Sequence, residues 1–132
     1  MCPCSLALLK HRPDWTLLAG PEELLLQCMA VGGHGGANFF PRLYVALYEA
    51  CRAGEIARAR DLQAKVQEVC AKIYRVGRHP SAVIKGIKCA ASCLGLCGDF
   101  MAEPFHKFRE PEHRQIEQAM RELQEGLALL GR

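Results

Sequence analysis

Four glycines surround a single histidine in VGGHGGANFFP, residues 31–41, and three kinds of chemistry use such a grouping. A phosphate loop of the Walker type needs lysine and then serine or threonine after its last glycine, so that an ammonium reaches the phosphates and a hydroxyl reaches Mg2+. Here Ala37 and Asn38 follow Gly36. A dinucleotide loop needs Gly-x-Gly-x-x-Gly, and Asn38 stands where the third glycine belongs. A metal site on His34 needs partners, yet His11, His79, His106 and His113 are scattered, with no H-x-H or H-E-x-x-H spacing. The steric reading remains: glycine lets backbone approach backbone or ligand where no Cβ fits.

Thiols are the other reactive group in quantity. Cys89, Cys93 and Cys97 recur at a spacing of four, which on a helix puts three thiols on one face. Zinc and iron–sulfur sites favour a tighter Cys-x-x-Cys turn, and Gly95 interrupts the last interval. These thiols therefore read as small apolar residues packing a helix, and no metal ligand is assigned. The eight cysteines lie largely among Ala, Val, Ile and Leu, which reads as reduced thiols in a cytoplasmic protein rather than a disulfide framework. Cys2-Pro-Cys4 is a terminal pair prone to oxidation.

The elements that must position these residues follow from punctuation and period. WTLLAG, residues 15–20, reads as a buried strand stopped at Gly20-Pro21. Pro21 then opens a helix with Glu22 and Glu23 at its positive end, running to Gly32. GGHGG leads into a second strand. After Pro41 four helices are predicted. The first places Leu43, Leu47 and Ala50 or Cys51 on one face and stops at Gly54; the second places Ile56, Ala59, Leu62, Val66, Val69 and Ile73 on one stripe and stops at Gly77. The third covers SAVIKGIKCAASCLG, with Ile84, Ile87, Cys89, Ala91 and Leu94 fitting a helical period. GDFMAEPFHKFREP is irregular, and the last helix, from about Glu112, carries Ile116, Met120, Leu123, Leu127 and Leu130. SLALLKHR suggests the last turns of another helix before the first strand.

A chain of 132 residues, half of them apolar and 23% charged, is globular in composition. Its net charge of +3 is spread among alternating signs, so no nucleic acid partner is expected. Arg58, Arg60, Lys65, Lys72, Arg75 and Arg78 read as a solvated helix face. No membrane partner is expected either: the longest apolar region, Thr16 to Gly33, is broken by Pro21, Glu22 and Glu23, and the first ten residues do not read as a secretory signal.

In series, three stretches resemble the dihydrodipicolinate synthase and N-acetylneuraminate lyase family. They are WTLLAGPEELLLQCMAVGGHGG, ANFFPRLYVALYEACRAGEIARARDLQ, and HPSAVIKGIKCAASCLGL with its following EPF. The resemblance covers about Pro13 to Gly131. It implies an α/β fold, the C-terminal part of a (β/α)8 TIM barrel with its extra C-terminal helices, the present chain being mostly α with one or two short strands. It implies a single partial domain, residues 15–54 covering the region from barrel strand six to helix seven and residues 55–132 the C-terminal helices. Gly20 resembles the glycine ending strand six, and GGHGG the lead-in to strand seven. The implied chemistry is that of a Schiff-base aldolase or lyase. A lysine amine attacks pyruvate or another 2-oxo acid, a tyrosine moves protons, and no cofactor takes part. Such groups sit at the C-terminal ends of barrel strands. By the same resemblance Gly20, Gly36 and Asn38 border the substrate pocket.

Two departures from that pattern stand out. Nothing in the fourteen residues before Trp15 matches the family's catalytic Gly-Ile-Lys strand, nor is the tyrosine or the threonine pair of its earlier strands found. Family members also carry several more residues between the GGHGG segment and the asparagine segment. Lys85-Gly86-Ile87-Lys88 imitates the catalytic strand, but its period is helical, and a Schiff-base lysine also needs desolvation to lower its pKa. The chain is therefore expected to be inactive alone, to leave strand edges unpaired, and to form a homo-oligomer or join a complementing chain. The other function class is a non-catalytic helical interaction or oligomerisation module, or a truncated gene product.

Overall fold

The computed structural model describes residues 3–77 and 79–128. The elements run α1 (Pro3–His11), β1 (Leu18–Ala19), a 3-10 turn (Glu22–Leu24), α2 (Leu25–Ala30), β2 (Gly35–Gly36), α3 (Pro41–Ala53), α4 (Ile56–Val69), a π-helical turn (Cys70–Tyr74), α5 (Ala82–Cys93) and α6 (Glu110–Ala128). They fall into two units, Met1–Gln67 and Glu68–Arg132, the division lying within α4.

In the first unit β1 and β2 pair in parallel, Leu18 opposite Gly35 and Ala19 opposite Gly36. The strand expected over Trp15–Gly20 shrinks to two ladder residues. Its partner segment offers only Gly35 and Gly36 as ladder residues, and the pairing ends with the Ala37 N–H donating to the Ala19 carbonyl at 3.3 Å. The helix expected from Pro21 begins instead as a tight 3-10 turn, with Pro21 extended at its N-cap (φ −69°, ψ 118°). Gly32 ends α2 in the left-handed region (φ +90°), as expected of a C-terminal glycine.

Pro41 suits the first turn of α3, and Gly54, left-handed at φ +72°, closes it. The predicted stripe is realised: Leu43, Leu47 and Ala50 are buried, with Tyr44 beside them. Each fully buried leucine contributes about 1.5–3 kcal/mol relative to exposure. On α4 the residues Ala59, Leu62 and Val66 are buried, but Ile56, at the first turn, is 57% exposed. Gln63, buried on the same helix, accepts from the Leu26 N–H at 3.3 Å and donates to the Glu23 carbonyl at 2.9 Å. One side-chain amide thus satisfies both ends of a peptide group's worth of hydrogen bonding where α2 begins.

In the second unit α5 packs against the π-helical turn and against α6, and α6 also meets the turn. The face of α5 that packs is its small-residue face: Ala82, Gly86, Cys89, Ala90 and Ala91 are buried. Of the residues that fit the helical period, Cys89 and Ala91 are buried, whereas Ile84 and its neighbour Val83 are exposed. Gly86 shows why small residues face inward. An added Cβ there would collide with the carbonyl oxygen of Ile73 and lie 3.0 Å from its carbonyl carbon. Helix and turn approach so closely that only small side chains fit between them. On α6 the predicted residues Ile116, Met120 and Leu123 are buried, together with Ala119; the side chains of Leu127 and Leu130 lie outside the described residues. Among those residues no helix is long and apolar enough to cross a membrane.

Candidate functional site

The parallel pair has one end where both strands finish, and the residues assigned by resemblance gather there. Gly20 follows β1 directly, Gly36 is the last residue of β2, and Asn38 lies two residues on. Asn38 donates from Nδ2 to the Gly36 carbonyl at 3.4 Å, and the Phe39 N–H donates to Glu22 Oε1 at 3.0 Å. The carboxylate of the β1–α2 connection therefore holds the chain leaving β2.

The two glycines differ in what fixes them. A Cβ on Gly36 would lie 3.1 Å from the Ala19 carbonyl oxygen and 3.5 Å from Leu25 Cδ1, a tight fit against the neighbouring strand that a side chain would meet only if the strand gave by a few tenths of an ångström. A Cβ on Gly20 would meet nothing within 4 Å, and Gly20 has no positive φ. Space stands open before it.

His34 has a role that the sequence did not suggest. Its backbone N–H donates to the Leu17 carbonyl at 2.8 Å, and its Nδ1 accepts from the Leu17 N–H at 3.1 Å. The imidazole replaces the carbonyl that a longer β2 would have offered, and extends the ladder by one residue at its opening end. The order His-Gly-Gly after a helix stop carries no signal for this, because it depends on register. Gly33, next to it, could not carry a side chain: a Cβ would collide with Cys28 Sγ and sit 2.7 Å from the Cys28 carbonyl oxygen. A groove of about 470 Å3 lies on this side, lined by Leu26, Met29, His34, Tyr48, Cys51 and Arg52 among others. It borders the start of β2, whereas Gly20, Gly36 and Asn38 mark the finishing end of the pair. Burial pushes the Cys51 thiol up, which keeps it a poor nucleophile.

The second unit holds the remaining sequence candidates. Lys88 lies within α5, and its ammonium donates to the Phe100 carbonyl at 2.7 Å. It anchors the irregular segment and stands on no strand. Cys89 and Cys93 share one face of α5, but the helix ends at Cys93 and Gly95 turns left-handed at φ +70°. That turn carries the exposed Cys97 away, so the three-thiol face read from the spacing does not form.

With this geometry in view, the similarities to known proteins are informative. Residues 6–123 match the family model described as the dihydrodipicolinate synthetase family. The N-acetylneuraminate lyase of Rhizobium meliloti is 32% identical over 112 residues, a match covering 82% of this chain and 36% of that protein. The 4-hydroxy-tetrahydrodipicolinate synthase of Methanopyrus kandleri is 30% identical over 114 residues, covering 83% and 36%. Among solved structures, a dihydrodipicolinate synthase from Bacteroides thetaiotaomicron superposes with a TM-score of 0.80 at 44% identity, covering 89% of this chain and 41% of that one. A sialic acid aldolase from Ruminococcus gnavus gives a TM-score of 0.83 at 19% identity over 98% of this chain and 44% of that one, a likeness of fold alone. The chain thus spans a little over a third of the curated relatives named here, and its two strands and flanking helices correspond to part of a (β/α)8 barrel. It belongs to the dihydrodipicolinate synthetase family.

Proposed function

We propose that this chain supplies part of the wall of a lyase or aldolase site that acts on pyruvate or another 2-oxo acid through a lysine Schiff base. The observation that carries this reading is the position of the glycines. Gly20 and Gly36 stand together where two parallel strands end, which is where barrel enzymes place their chemistry. Gly20 has neither a close neighbour nor a positive φ to require glycine, so the open space in front of it is what the residue preserves. In this reading the backbone there approaches the substrate, and Asn38 closes the rim.

The nucleophile comes from elsewhere. Lys10, Lys65, Lys72, Lys85, Lys88 and Lys107 lie on α1, on α4, in the π-helical turn, on α5 (two of them) and in the segment before α6. None stands on β1 or β2. The lysine, and the tyrosine that moves protons, belong to a complementing segment, covalently continuous or separate. Schiff-base formation there expels water from the carbonyl carbon of the 2-oxo acid as the amine nitrogen bonds to it.

The test is complementation. The chain is co-expressed with the part of the Rhizobium meliloti lyase that it does not match, and the purified pair is treated with pyruvate and borohydride. A reduced pyruvyl adduct on the supplied segment, formed only when this chain is present and lost in Gly36→Val, supports the reading. A co-purified pair that forms no adduct would overturn it.

A further inference from the structure

The strongest feature outside that site lies on α5 and α6. Cys89 and Cys93 are one helical turn apart on α5, and His113 comes from α6, which packs against it. The two Sγ atoms and an imidazole nitrogen all lie within 4.8 Å of one another. His113 occupies the third position that the spacing of the cysteines had suggested for Cys97. We propose that Cys89, Cys93 and His113 form a binding site for a thiophilic divalent cation of the Zn2+ class, joining α5 to α6.

The donor set selects the ion. Two thiolates and a neutral imidazole suit a borderline-soft cation, whereas Mg2+ and Ca2+ require oxygen ligands. Two thiolate charges cancel the dication, so the partly buried site holds no net charge. Tetrahedral zinc, with Zn–S about 2.3 Å and Zn–N about 2.0 Å, sets neighbouring donors roughly 3.5–3.8 Å apart, so the cluster need contract by only about an ångström. On binding, each thiol gives its proton to solvent as the sulfur–metal bond forms, and no electron changes hands. The thiol hydrogen bond that Cys89 shares with Cys93 is replaced by two metal–sulfur bonds.

The fourth position has somewhere to open. A hollow of about 320 Å3 is lined by Ser92, Cys93, His113, Glu117 and Arg121 among others. Glu117 lies one turn beyond His113 and is held by Arg121 at 2.6 Å. A water entering from the hollow completes the coordination. Cys89 is fully buried while Cys93 and His113 are half-buried, so the ion enters from the hollow and reaches Cys89 last.

The experiment is a Co2+ titration of the reduced full-length chain, followed by Zn2+. One equivalent of Co2+ is expected to develop thiolate-to-cobalt charge-transfer absorption that Zn2+ then abolishes. Cys93→Ser and His113→Gln should each weaken binding by at least about tenfold, and Cys97→Ser should leave it unchanged. Zn2+ should also protect Cys93, but not Cys97, from alkylation mapped by peptide mass spectrometry. His113→Gln alters a half-exposed side chain, so its helical circular dichroism is expected to match that of the parent. Absence of the charge-transfer band, or a band that survives in Cys93→Ser and disappears in Cys97→Ser, overturns the proposal.

Discussion

Replacing Gly86 by alanine should destabilise the protein although it puts a better helix former into a helix. In an unobstructed helix interior, alanine gains about 1 kcal/mol over glycine. At Gly86 the new methyl meets the backbone of Ile73 rather than the movable end of a side chain, colliding with its carbonyl oxygen and lying 3.0 Å from the carbonyl carbon. Relief requires α5 to move off the π-helical turn. Overpacking of this kind costs about 1–3 kcal/mol, at the upper end where the obstacle is backbone that cannot rotate away. The cost outweighs the propensity gain, leaving a net loss of about 1–2 kcal/mol. Gly126 provides the internal control, since it lies on α6 with nothing within 4 Å of an added Cβ. Gly126→Ala should therefore gain about 0.5–1 kcal/mol. Urea unfolding followed by far-ultraviolet circular dichroism, at one fixed protein concentration, compares the two. Equal stabilisation by both substitutions would refute the claim that close backbone approach, rather than chance, put glycine at position 86.

Three further expectations follow from the same geometry. His34→Ala leaves the Leu17 N–H without its acceptor and should cost about 0.5–1.5 kcal/mol, while His34→Asn, whose Oδ1 reaches the same place, should recover most of it; amide exchange at Leu17 reads both. Burial above all, with Cys93, Asp99 and Glu117 adding to it, pushes the Cys89 thiol up to about 12. The unfolded thiol ionises near its ordinary value of 9 while the folded one stays protonated, so metal-free stability should fall as pH rises from about 9 to about 12, and Cys89→Ala should flatten that decline. Among the thiols, maleimide should label exposed Cys97 well before buried Cys89, and a reversed order in mass spectrometry would contradict the placement of the helix end at Cys93.

Much of this fold was legible because helices announce themselves locally. Pro41, the Leu43–Leu47–Ala50 stripe and Gly54 mark α3 from start to stop, and each behaves as its type demands. The π-helical turn at Cys70–Tyr74 was not legible, since the apolar stripe of Val66, Val69 and Ile73 runs through it without a break. On α5 the packing role of Cys89 was legible from its type, but the close approach of Gly86 to the Ile73 backbone was not, because period says nothing of the distance between elements. The assignment of Gly20, Gly36 and Asn38 to the proposed site rests on family resemblance. What holds them, the contact of Ala19 with Gly36 and the reach of Glu22 to Phe39, is a matter of register between segments distant in sequence. The same limit hid His113, twenty residues from Cys93 and one helix away, from any reading based on spacing.

The central claim is that this chain provides the wall of a 2-oxo acid site and not its nucleophile. The most direct measurement is intact-mass analysis of the purified 132-residue chain after incubation with pyruvate and borohydride. An unmodified mass is expected. A reduced pyruvyl adduct on any of the chain's own lysines, Lys88 above all, would contradict it.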